Sequence, residues 1–196
     1  MNGIKILCIG DSNTYGYDPR SYIGSRYPED IRWTDRVMTA WNKENPDNGL
    51  NMINLGVNGM TAARARAAFE AAVKREAPDL VIVMLGTNDI LSGYDPEETA
   101  DRIDDLLRSI GETAGKILLI APPLLQMGDW VTGEGLIEES RALGELYREI
   151  SLQNNCLFAD AGEWDIEITY DGVHFSPEGH ALFAEKIRPL IAGCLQ

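Results

Sequence analysis

Histidine occurs only twice in the 196 residues and cysteine only three times. Cys8, Cys156 and Cys194 are odd in number, far apart and without CxxC spacing. That argues against a disulfide scaffold and a zinc site, and leaves Cys8 and Cys156 as small hydrophobes inside apolar runs. No apolar run approaches the ~20 residues that span a bilayer. The first residues lack a basic stretch followed by an apolar core and a small-residue cleavage site, so a cytoplasmic location is expected. Positive charge is scarce as well: 17 Lys+Arg stand against 31 Asp+Glu, a formal net charge of −14. Such a surface repels phosphate backbones and anionic lipid heads, so neither nucleic acid nor membrane is expected as a partner.

What is present is the composition of a folded domain, 44% hydrophobic and 24% charged. The length suits one domain over residues 1–196, with no repeat or linker to divide it. Five short runs, Ile4–Ile9, Met52–Val57, Leu80–Leu85, Ile117–Ala121 and Cys156–Ala159, are rich in Ile, Val and Leu and mostly lack alternation. Strands buried on both faces of a parallel sheet read this way. Between them lie helical spacings: Ile103, Leu106, Leu107 and Ile110; Leu143, Leu146, Tyr147 and Ile150; and, in the last segment, Leu182, Phe183, Ile187, Leu190 and Ile191. Asp95-Pro96-Glu97-Glu98 and Ser176-Pro177-Glu178 mark two helix starts, a capping residue followed by Pro at the first helical position. The alternation of strands and helices predicts a doubly wound α/β fold with a five-stranded parallel sheet.

One connection is unusually long. Thr14–Ile31 shows neither period and holds four of the seven tyrosines, Tyr15, Tyr17, Tyr22 and Tyr27, with Trp33 just beyond. Loops of this length inside a compact domain are usually functional or disordered, and the aromatic density argues against disorder. Two roles fit the aromatic density: a wall of a substrate pocket, or an apolar flap or subunit contact.

In an open parallel sheet the ligand crevice lies at the carboxyl ends of the strands. The segments after the runs are Gly10-Asp11-Ser12-Asn13-Thr14, Asn58-Gly59-Met60-Thr61, Gly86-Thr87-Asn88-Asp89 and Pro122-Pro123, and the last helix is preceded by Asp171-Gly172-Val173-His174. Ser12 reads either as a helix cap or as a nucleophile, the latter only if a base reaches it. Of the two histidines, His180 falls inside the last helical spacing, as a packed or exposed helix residue. His174 falls in a loop facing the crevice. Asp171, three residues earlier, is close enough to accept the second imidazole N–H and fix the tautomer. Gly59 reads as a turn glycine or as a backbone N–H open to a ligand, and Asn88 as a cap or as a side-chain donor to an oxyanion.

Taken in order, Gly10-Asp11-Ser12, Gly59, Gly86-Thr87-Asn88-Asp89 and Asp171-Gly172-Val173-His174 resemble the four sequence blocks of the SGNH (GDSL-type) esterase/lipase superfamily, from residue 4 to about 190. The resemblance implies a flavodoxin-like three-layer α/β/α sandwich and ester hydrolysis through a serine acyl-enzyme, without metal or cofactor. It implies Ser12 as nucleophile, His174 as base and Asp171 as its partner, with the Ser12 N–H, Gly59 and Asn88 forming the oxyanion hole. Arg26-Tyr27-Pro28-Glu29-Asp30-Ile31-Arg32-Trp33-Thr34 is similar to the arylesterase/acetyl-esterase branch, some members of which transfer acetyl groups to alcohols and form oligomers.

The expected substrate is a small ester with a short acyl, acetyl or aryl group. Tyr15, Trp33, Leu124, Leu125 and Trp130 are the bulky candidates to narrow its pocket, with ordinary packing as the alternative for each. A carbohydrate acetyl esterase is the second reading, with Trp130 and Trp164 available to stack on sugar faces. A non-catalytic module binding a nucleotide or flavin is a reading from another class. It is disfavoured because the first loop has few glycines and lacks the lysine of a phosphate-binding loop.

Overall fold

A computed structural model describes residues 3–21 and 23–195. Five strands, β1 (Ile4–Gly10), β2 (Leu50–Asn54), β3 (Leu80–Met84), β4 (Lys116–Ala121) and β5 (Leu157–Asp160), form one all-parallel sheet in the order β2-β1-β3-β4-β5. Register places Ile6 between Met52 and Leu80, so β1 is bonded on both sides. The helices are α1 (Ser12–Tyr15), α2 (Trp33–Glu44), α3 (Ala62–Glu76), α4 (Thr87–Leu91), α5 (Pro96–Gly111), α6 (Glu134–Gln153) and α7 (Pro177–Cys194). This is the α/β fold that the apolar runs predict.

The lack of alternation in those runs has a direct cause. On one face Leu7, Ile9, Val81, Val83 and Leu119 pack with residues of α3, α5 and α6. On the other, Ile6, Cys8, Leu80, Ile82 and Ile120 pack with α2 and α7. Both sets are buried, so both must be apolar. Truncating a residue such as Ile82 to Ala would cost about 2–5 kcal/mol, as lost burial plus a cavity.

Element ends differ from the apolar runs where side chains satisfy the backbone locally. β2 begins at Leu50 and ends at Asn54 instead of covering Met52–Val57. Leu55 still packs on the core, and the Leu55 and Val57 N–H groups donate to Cys8 O and Gly10 O at 2.9 and 3.1 Å, so the chain stays beside β1 past Asn54 while the Asn54 carboxamide oxygen accepts the Gly56 N–H at 2.9 Å. β5 runs one residue later than the Cys156–Ala159 run. Ser176 caps α7 by accepting the Gly179 N–H at 2.9 Å, whereas Asp95 precedes α5 without a side-chain cap bond.

The strand order sets the position of the crevice. β1 is followed by a strand on one side of it and β3 by a strand on the other. The carboxyl ends of these two neighbours therefore leave a cleft between diverging connections. Ser12 follows β1 and Asn88 follows β3.

Candidate active site

At the end of β1 the chain enters the single turn of α1. The Asp11 carboxylate accepts the Asn13 N–H at 2.9 Å, and Gly16 closes the turn at φ +86. Ser12 thereby opens α1 directly after β1, at the carboxyl end of the sheet. The loop before α7 brings His174 to the same point: its Nε2 lies 3.0 Å from Ser12 Oγ, across 162 residues of sequence. On the far side of the imidazole, Nδ1 lies 2.7 Å from Asp171 Oδ2. All three side chains are buried.

Asp171 is anchored by its other oxygen. Oδ1 accepts from Thr169 Oγ1 and from the N–H groups of Val173 and His174, at 2.9, 2.9 and 3.0 Å. Burial alone would raise this carboxyl. The bonds from the His174 ring and from the two backbone groups outweigh it and hold the carboxyl down at about 2. Asp171 is therefore ionised throughout the neutral range, and it favours the tautomer in which Nδ1 carries the proton and Nε2 can accept one. Gly172 shapes this turn at φ +83, where a Cβ would collide with the Gln126 carbonyl oxygen.

Gly59 and Asn88 lie on neighbouring segments, after β2 and after β3. Gly59 is exposed at φ +69, and nothing lies within 4 Å of the place a Cβ would occupy. Asn88 Nδ2 donates to the Met60 carbonyl at 3.1 Å, which uses one of its two hydrogens and fixes the amide plane.

Two aromatic rings flank the imidazole. Tyr17 lies 4.7 Å from it between centroids, and Trp130 meets it edge-on at 5.1 Å while remaining 55% exposed. The long loop is folded over this side: Tyr17 and Arg26 form an antiparallel bridge, and Tyr170 Oη donates to Pro19 O at 2.9 Å. Tyr22 lies outside the described residues.

The other bulky candidates lie elsewhere. Trp33 is 1% exposed, its Nε1 donating to Asn13 O at 3.2 Å and its ring against Phe183. Tyr15 is half-buried beneath the Arg26 guanidinium. Leu125 is in the core, and Leu124 faces a side cavity with Gln126, Gly162 and Ile166 that includes neither Ser12 nor His174. Trp164 packs on Phe183. His180 is a buried residue of α7, against Tyr27 and Phe175. Asn13 and Thr169, unremarked in the sequence, hold the site together through bonds that only the tertiary structure reveals.

A serine within bonding distance of an imidazole, itself bonded to a buried carboxylate at a parallel-sheet switch point, is the arrangement used by serine hydrolases. Residues 8–182 match the GDSL-like Lipase/Acylhydrolase family, and the chain belongs to it. It is a carboxylic ester hydrolase, which sets aside the nucleotide- or flavin-binding reading. A protein described as an arylesterase from Agrobacterium tumefaciens superimposes with a TM-score of 0.85 at 28% identity, covering 98% of this chain and 100% of that one. A carbohydrate acetylesterase from Sinorhizobium meliloti gives 0.78 at 28% identity, with 97% and 99% covered. An acetylxylan esterase from Geobacillus stearothermophilus is 26% identical over 93% of this chain and 91% of its own length. Among the described residues no helix is long and apolar enough to cross a membrane.

Proposed function

We propose that the chain hydrolyses small esters of short acyl or aryl type through an acyl-enzyme on Ser12. The observation that carries this is the unbroken line from Ser12 Oγ to His174 Nε2 at 3.0 Å and from Nδ1 to Asp171 at 2.7 Å. His174 Nε2 takes the hydroxyl proton as Oγ attacks the carbonyl carbon. Charge moves to the carbonyl oxygen, where the Ser12 and Gly59 N–H groups and the Asn88 amide meet it. As the tetrahedral state collapses, His174 returns the proton to the departing alkoxide. Water, deprotonated in turn by His174, then releases the acid and restores Ser12. An alcohol in place of water would accept the acyl group instead.

The rings of Tyr17 and Trp130 beside His174 favour a small acyl group over a long one. Hydrolysis of p-nitrophenyl esters from acetate to decanoate tests this, with the maximum expected at acetate to butyrate. A maximum beyond octanoate would overturn the short-acyl assignment, and activity retained in Ser12→Ala would overturn the nucleophile.

A second reading is favoured by one observation: Trp130 is exposed beside His174, where its face could support a pyranose ring. The relatives named as acetylxylan and carbohydrate acetylesterases agree with it. Acetate release from acetylated xylo-oligosaccharides, with KM raised in Trp130→Ala while KM for p-nitrophenyl acetate is unchanged, would select this reading.

A further inference from the structure

Asn13 is the residue after Ser12, and its side chain reaches across to the two residues that enclose His174. Its Nδ2 donates to Val173 O at 3.1 Å and its Oδ1 accepts the Phe175 N–H at 2.9 Å. One carboxamide thus bonds the backbone before and after the imidazole, as a neighbouring strand would. Asn13 is itself held: its N–H goes to Asp11 Oδ1 at 2.9 Å, and its carbonyl receives Trp33 Nε1 at 3.2 Å. The side chain is buried, so these bonds are shielded from water.

We infer that Asn13 is a positioning residue that sets the distance and angle between Ser12 Oγ and His174 Nε2. The two groups lie on loops 162 residues apart, and the Asn13 amide ties those loops within one residue of each reacting group. The inference rests on the esterase reading above. A misplacement of about 1 Å between nucleophile and base costs on the order of 10²-fold in rate, whereas substrate binding does not depend on that distance. Asn13 is therefore expected to act on kcat and leave KM alone. Trp33 assists from the core by fixing the Asn13 backbone.

The test uses two variants of the full chain. Asn13→Leu removes both side-chain bonds at similar volume. Asn13→Asp keeps the acceptor for Phe175 but sets an oxygen against the Val173 carbonyl. With p-nitrophenyl acetate, kcat is expected to fall roughly 10- to 100-fold in both, with KM within about twofold. Inactivation by a serine-directed phosphonate should slow in parallel. The low-field proton signal of the His174 Nδ1–H should shift or broaden, which a purely structural role elsewhere would not cause. A lowering of Tm by roughly 4–10 °C accompanies two lost hydrogen bonds in a chain this size. Unchanged kcat in both variants, or a loss confined to KM, would overturn the inference. Failure of both variants to fold would overturn it too, since Asn13 would then be a support of the whole fold. If the wild type hydrolyses no ester, the esterase reading fails by itself; the low-field proton of wild type and variants still decides the role of Asn13.

Discussion

The Asp89 carboxylate accepts the Ala62 N–H at 2.8 Å, tying the turn after β3 to the first residue of α3. The bond joins the two segments that carry Asn88 and Gly59. Asp89 is fully buried, and Arg102 approaches its second oxygen at 3.8 Å. Burial raises its carboxyl, opposed by the Ala62 N–H and by Arg102. Asp89→Ala would leave the Ala62 N–H without its acceptor, while Arg102 keeps its ion pair with Glu98. A loss of about 1–3 kcal/mol is expected, measured by urea unfolding, with kcat reduced if Gly59 and Asn88 serve as the proposed oxyanion donors.

Asn88→Ala removes one proposed oxyanion donor and little packing. Its expected effect is a fall of about 10²–10³ in kcat with small changes in KM and Tm. Steady-state kinetics beside a thermal melt separates this from a folding defect.

Asp171→Asn keeps the shape of the site but reverses the preferred imidazole tautomer. A loss of kcat on the order of 10³–10⁴ is expected at neutral pH. The same residue contributes to stability. Its folded value of about 2 lies below the unfolded one, so the contribution, roughly 2 kcal/mol, is present above about pH 4 and is lost as pH falls through 2.

His180 also costs stability in acid, although the form held in the folded chain is neutral rather than charged. Its ring nitrogens have no hydrogen-bond partner among the described residues. Burial first, then Arg36, Arg32 and His174, push its value down to about 3. The folded chain therefore holds it neutral, and stability is lost as pH falls below about 6.5, where the unfolded chain gains a proton. His180→Phe is expected to flatten this loss, gaining about 2 kcal/mol on wild type at pH 4.5 relative to pH 7.5. Melts across that range check it, and parallel curves for the two proteins would exclude His180 as the cause.

Asp11 has the reverse sign. Burial raises its carboxyl to about 6 against the bond from Asn13 and the proximity of His174. Its stabilising contribution is full below about pH 4 and is lost as pH rises through 6. Asp11→Asn keeps the acceptor for the Asn13 N–H and removes the buried charge. It should raise stability at pH 7.5 by about 1–3 kcal/mol and make no gain at pH 4.

The parallel sheet was legible because strands buried on both faces leave unbroken apolar runs, and Leu80–Met84 is such a strand. The end of β2 was less so: regular pairing stops at Asn54, whose side chain takes the Gly56 N–H, yet Leu55 and Val57 still donate to β1, so the apolar run outlasts the strand. The candidate triad was legible because Asp171 and His174 lie within one turn and Ser12 follows a strand. Beside an aromatic loop, Trp33 fits a pocket wall or ordinary packing equally; the pairing of its ring with Phe183 is fixed by α7, about 150 residues on. The role of Asn13 is hidden for the same reason: both its side-chain partners lie 160 or more residues away.

That separation also bears on how the protein is made. A ribosome emits the Ser12 turn early and His174 with Asp171 near the end, and domains fold as their segments emerge. Until the final loop docks against Asn13, Ser12 is an ordinary alcohol with no base beside it. The nascent chain is in effect its own unprocessed precursor, and ester cleavage would report completion of folding more sharply than helix content.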